Sequence, residues 1–84
     1  MLAFVYKSSR KEQLYIYLLE RDGFHKLPQE LLHGLGEMIF VMQVALDQRQ
    51  QLGREDITIV RTNLQQQGFH IQFPPIVDLR NDAQ

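Results

Sequence analysis

The run Met38 to Leu46, broken only by Gln43, constrains the fold more than any other part of the chain. It is about half the ~20 residues that a helix needs to span a bilayer, so it belongs inside a water-soluble fold. The segment Glu37 to Leu46 shows no clean alternation of apolar and polar positions. A strand covered on both faces looks like this, and period alone does not separate it from a buried helix. A central strand is the reading that fits the neighbouring segments best.

Those segments supply the rest of an α/β domain. Leu2 to Lys7 and Gln13 to Leu19 are rich in β-branched and aromatic residues. The polar stretch Ser8 to Glu12 separates them, which predicts a hairpin of two strands. Glu20 to Gly23 reads as a turn, and Phe24 to Lys26 as a little extended structure. Pro28 suits the first turn of a helix, Leu31, Leu32 and Leu35 share one face of it, and Gly36 can end it. Gly34 weakens the same helix by ~1 kcal/mol relative to alanine.

From Arg54 to Gln67, Ile57, Val60 and Leu64 recur at helical spacing. Glu55 and Asp56 sit at the positive end of the helix dipole, and Gly68 follows as a stop. Phe69, Ile71 and Phe73 then alternate with His70 and Gln72 as a last strand, which Pro74-Pro75 closes. The expected order is β-β-α-β-α-β. With helical crossovers, the second and third strands and the third and fourth would be parallel pairs, giving a mixed four-stranded sheet. One domain over residues 1–75 accounts for the pattern. Residues 76–84 form a tail, read either as a short helix or as loose chain.

Composition narrows the function classes. The chain has 84 residues, 44% hydrophobic and 23% charged, which suits one ordered domain and leaves no room for a second. A core of this size supplies roughly 3–5 kcal/mol, so a partner or a weak homodimer is expected to add stability. The absence of cysteine removes disulfides, thiolate metal sites and cysteine nucleophiles, and suits a reducing, cytoplasmic setting. No secretory signal pattern opens the sequence. A net charge of −1 gives no whole-molecule attraction to nucleic acid or anionic lipid, so such binding would need a local patch.

Lys7-Ser8-Ser9-Arg10-Lys11 is the densest basic segment. In a loop between strands, its exposed amides, hydroxyls and cations could hold a phosphate. The plainer reading is a solvated loop whose serines bond their own backbone. Tyr15 and Tyr17 share one strand face, as do His70 and Gln72, and together they could make a platform on which bases stack. Tyrosines in strands are more often half-buried packing residues. His25, His33 and His70 lack the spacing of a zinc site, and no Ser-His-Asp combination is selected, so neither a metal, a cofactor nor a catalytic group is expected. Asp47 and Arg49 could form a turn-stabilising pair worth ~0–1 kcal/mol.

The pieces Tyr6 to Lys11 leading into Tyr15-Ile16-Tyr17, Leu27 to Leu32 with Gly34 and Gly36, Leu46-Asp47 with Arg49 and Leu52, Asp56-Ile57 with Val60 and Leu64, and Gly68 to Pro75 together resemble the YcgL domain family of small bacterial proteins. The resemblance covers the chain from about Phe4 to Pro75. It implies an α/β/α sandwich around a mixed sheet and carries no known reaction. Family members often run longer after the Pro-Pro step, where this chain has Ile76. Relatives are thought to sit beside the gene for ribonuclease D, which turns expectation toward RNA metabolism. The resulting expectation is a non-catalytic binding or adaptor domain that meets RNA or an RNA-processing protein through Lys7, Ser8, Ser9, Arg10, Lys11, Tyr15 and Tyr17. The alternative is a purely protein–protein interaction module.

Overall fold

The computed structural model describes residues 1–48, 51–52 and 55–74. The expected tail at 76–84 and the Asp47–Arg49 pair, through Arg49, lie outside the described residues. Asp47 itself pairs with the amino group of Met1 and, at 3.8 Å, with Arg61.

Strand β1 (Leu2–Ser8) and strand β2 (Tyr15–Leu18) form the expected antiparallel hairpin, with Val5 opposite Tyr17 and Lys7 opposite Tyr15. Alternation along β1 sends Ala3 and Val5 to one face and Tyr6 and Ser8 to the other. Residues Phe24–Lys26 make a short 3-10 turn in place of the extended segment expected there. Tyr6 fixes the turn before it: its hydroxyl donates to Asp22 Oδ1 at 2.9 Å and accepts the Asp22 amide at 2.8 Å. Asp22 takes a positive φ of 58°, which aspartate tolerates better than most residues.

Helix α1 (Gln29–Leu35) begins directly after Pro28 and ends at Gly36, as its residues predict. Strand β3 (Met38–Ala45) is indeed a strand. Two-residue strands β4 (Gln51–Leu52) and β5 (Glu55–Asp56) pair with each other and lead into helix α2 (Ile57–Gln67). The helix starts a turn later than the acidic residues suggested, because Asp56 is its cap: the Asp56 side chain accepts the Thr58 amide at 2.8 Å. Gly68, at φ 88°, ends it, and strand β6 (Phe69–Gln72) returns along β2.

Strand order is β3-β1-β2-β6 and every pairing is antiparallel, so the sheet is not mixed. The crossover through α1 does bring β3 in with the same direction as β2, because each is antiparallel to β1. It passes β1 before docking, however, so the two strands are not neighbours. Strand β3 is therefore an edge of the sheet rather than its centre, which β1 and β2 occupy.

The helices lie on opposite faces, giving the three α/β/α layers. On one face Ile57, Val60 and Leu64 of α2 pack on Ala3, Val5, Tyr17 and Val44. On the other, Leu31, Leu32 and Leu35 of α1 join Leu27 over Tyr6, Ile16, Leu18, Phe69 and Ile71. Burying each large side chain stabilises the fold by ~1.5–3 kcal/mol, so these two cores hold the sheet between the helices. Among the described residues no helix is long and apolar enough to cross a membrane.

Candidate functional site

The β1–β2 loop is built around Ser8, the last residue of β1, which points into the α1 side of the sheet and is buried. Its hydroxyl donates to the Leu35 carbonyl at 2.6 Å and accepts the amides of Arg10 at 3.1 Å and Lys11 at 2.9 Å. The Ser8 amide donates to Leu14 O and the Ser9 amide to Glu37 O, at 3.1 and 3.0 Å. All four amides from Ser8 to Lys11 are thus committed within the fold, which removes the amide cradle expected for a phosphate. Gly36 makes the close approach possible. A Cβ there would stand 2.7 Å from Arg10 Cγ and 2.8 Å from Ser9 Oγ, and its φ of 69° disfavours any side chain.

What this end of the hairpin presents outward is Lys7 of β1 with Ser9, Arg10 and Lys11 of the loop, all exposed. Arg10 reaches back to the His33 carbonyl at 3.3 Å. Lys7, Ser9 and half-buried Tyr15 line a depression of ≈ 400 Å³ with Glu12, Gln13 and Ile39. Glu12 and Lys7 both line it, so the depression has no single sign.

The aromatic and polar side chains do come together, but beneath a helix. Register sets Tyr15 opposite Gln72 and Tyr17 opposite His70. Tyr17, His70 and Gln72 are buried, and α2 lies over that face. The Tyr17 hydroxyl donates to Gln72 Oε1 at 2.6 Å, and its ring meets His70 edge-on, with centroids 5.6 Å apart. Tyr17 is consequently a core residue and offers no ring face to a base.

Sequence spacing did not reveal what His70 does. Its Nδ1 lies 2.8 Å from the Asn63 side-chain nitrogen and its Nε2 lies 2.5 Å from Glu55 Oε1. An amide nitrogen can only donate, so Nδ1 accepts and the Nε2–H donates to Glu55. Both ring nitrogens are occupied, and the trio ties β5, α2 and β6 together. It has no free nitrogen to exchange a proton with a substrate. His25 and His33 are exposed.

The largest chemical anomaly is on β3. Ile39, Phe40, Val41 and Met42 are each 40–42% exposed. Register explains why both faces are involved. Met42 stands opposite Val5 on the α2 face, Phe40 stands opposite Tyr6 on the α1 face, and Val41 between them is a bulge with no partner on β1. Met38 and Val44, near the strand's ends, join the two cores, but the middle lies beyond the helices. Arg21 stacks over the Phe40 ring at 4.5 Å and gives it partial cover.

A family model described as the YcgL domain matches residues 3–75. A YcgL domain-containing protein of Pseudomonas putida is 42% identical over 74 residues, which is 88% of this chain and 76% of the relative. One from Shewanella amazonensis is 42% identical over 78 residues, 93% of this chain and 85% of the relative. One from Stenotrophomonas maltophilia is 44% identical over 77 residues, 92% of this chain and 90% of the relative.

Proposed function

The chain belongs to the YcgL domain family, and from that premise we propose that it is a non-catalytic protein-interaction domain that accepts an extended strand along the open edge of β3. One observation carries this reading: four consecutive apolar residues, Ile39 to Met42, are 40–42% exposed on an edge strand eight residues long. Unpaired N–H and C=O groups on such an edge are a template for another strand, and natural proteins that do not use it place charges or proline there. None stands between Met38 and Leu46. In strand addition, backbone hydrogen bonds supply affinity and the flanking side chains supply selection. The buried polar groups support a non-catalytic role, because Ser8, His70 and Gln72 are bonded to neighbours that hold the fold. A cytoplasmic place of action agrees with the cysteine-free sequence.

Affinity capture from native bacterial extract with the wild type and with Val41→Lys tests this reading. Capture lost in the variant supports it, and capture unchanged by a charge in the middle of β3 contradicts it.

A second reading, contact with RNA, is supported by the exposed cations Lys7, Arg10 and Lys11 at one end of the β1–β2 hairpin. It predicts salt-sensitive binding of short RNA that Arg10→Ala with Lys11→Ala abolishes. With Tyr17 buried and the loop amides committed, such binding would be electrostatic and indifferent to sequence. A wild type that shows no salt-sensitive binding of short RNA contradicts it.

A further inference from the structure

Strand addition at β3 leaves the identity of the incoming strand to be found, and, resting on that reading, we propose that it is β3 of a second copy of this chain. The two strands would run antiparallel about a twofold axis and join the two sheets into one.

The requirement comes from the faces of the strand. Met42 and Ile39 are exposed on the side of α2 and Phe40 on the side of α1, so a strand laid alongside must carry apolar side chains on both of its faces. Strands of that kind are ordinarily buried in the centre of a sheet, covered above and below. This chain keeps one at its surface, at a concentration equal to that of the site it would fill. A twofold axis between Phe40 and Val41 sets the run Ile39 to Met42 against itself. The strands themselves bring no charge against charge, because Met38 to Leu46 carries none; Arg21, over the Phe40 ring, stands beside the seam. The opposite edge of the sheet is blunted: β6 is four residues long and is followed two residues later by Pro74, which has no N–H to donate. Among the described strands of the main sheet, only β3 offers a long free edge.

Area sets the strength. Ile39 to Met42 retain 40–42% of their surface. Taken together this is on the order of 350 Å² of surface per copy, under half the ~800 Å² per partner of a standard stable interface. A weak dimer with Kd in roughly the 1–100 µM range is expected, since the apolar area is small and each backbone hydrogen bond of the edge adds only modestly to affinity.

Sedimentation equilibrium of the full chain, from about 1 µM to about 500 µM, brackets that range. The expected result is a reversible monomer–dimer equilibrium whose Kd rises by roughly tenfold or more in Val41→Lys, with the circular dichroism of the dilute variant unchanged. Should Val41→Lys not fold, concentration-dependent amide shifts in the wild type decide the matter. Shifts confined to β3 and its near neighbours support pairing through the edge, and shifts centred on the Ser8–Lys11 loop overturn it. A chain that stays monomeric throughout also overturns self-pairing. If Val41→Lys nevertheless loses a captured protein, strand addition survives with a different occupant. If neither dimer nor lost capture is seen, both fail.

Discussion

Replacing Ser8 with alanine removes one oxygen atom and three hydrogen bonds at the point where the β1–β2 loop meets α1. The Leu35 carbonyl sits where α1 ends and loses its buried donor, and a buried acceptor left unpaired costs ~1–3 kcal/mol. The Arg10 and Lys11 amides are near enough to the surface for water to replace the hydroxyl, so their loss adds about 0.5 kcal/mol each. The expected total is about 2–4 kcal/mol, against ~4–13 kcal/mol for a domain of this length. With a urea slope near 1 kcal/mol per molar, the midpoint of unfolding should fall by ~2–4 M. Ser9→Ala is the matched control: its side chain is exposed, and such changes usually stay within about 0.5 kcal/mol. The reasoning is refuted if Ser8→Ala costs less than about 0.5 kcal/mol, or if the two alanine variants are equally destabilised.

Two glycines two residues apart should respond in opposite directions. Gly34 lies inside α1 with nothing within 4 Å of a would-be Cβ, so Gly34→Ala should stabilise the domain by ~0.5–1 kcal/mol in thermal or urea unfolding. Gly36, at φ 69° and ψ −150°, is in a region open essentially to glycine alone, so Gly36→Ala should cost ~1–3 kcal/mol and shift the Ser9 and Arg10 amide resonances. Tyr6 predicts an alkaline effect: burial, reinforced by the Asp22 carboxylate, holds its hydroxyl above the ordinary tyrosine value. A raised folded value means that its contribution is complete below the ordinary value, about pH 10, and is lost as pH climbs through the folded one. Unfolding measured across that alkaline range should therefore fall less steeply in Tyr6→Phe than in the wild type, and an identical slope would show that Tyr6 does not ionise against the fold.

Much of the fold is legible in local pattern. The hairpin follows from two β-rich segments around Ser8 to Glu12, α1 from Pro28 and Gly36, and α2 from Ile57, Val60 and Leu64 with Gly68 behind them. Strand order is not local. A run apolar on both faces demands cover on both faces, and that demand reads the same whether the cover comes from the chain's own helices or from outside it. The pattern of Glu37 to Leu46 therefore points to a central strand, and the strand it forms, Met38–Ala45, stands at the edge. The loop misleads for a different reason. Its composition displays hydroxyls and cations but not where they point, although parity offered a clue: Phe4, Tyr6 and Ser8 alternate onto one face of β1, which places Ser8 under α1. His70 and Gln72 looked like the solvent face of a strand because they are polar. In the structure they pair with Glu55, Asn63 and Tyr17, partners that only the return of the chain through α2 brings close.

Everything proposed for β3 depends on its outer edge being unpaired within one copy of the chain. Amide hydrogen exchange, followed residue by residue at low and at high protein concentration, measures this directly. In a ladder bonded on one side, about half of the β3 amides point outward. These should exchange quickly in dilute solution, while the amides bonded to β1 stay protected, and they should slow as concentration rises. Protection along the whole of β3 in the most dilute sample would mean that the chain already covers its own edge.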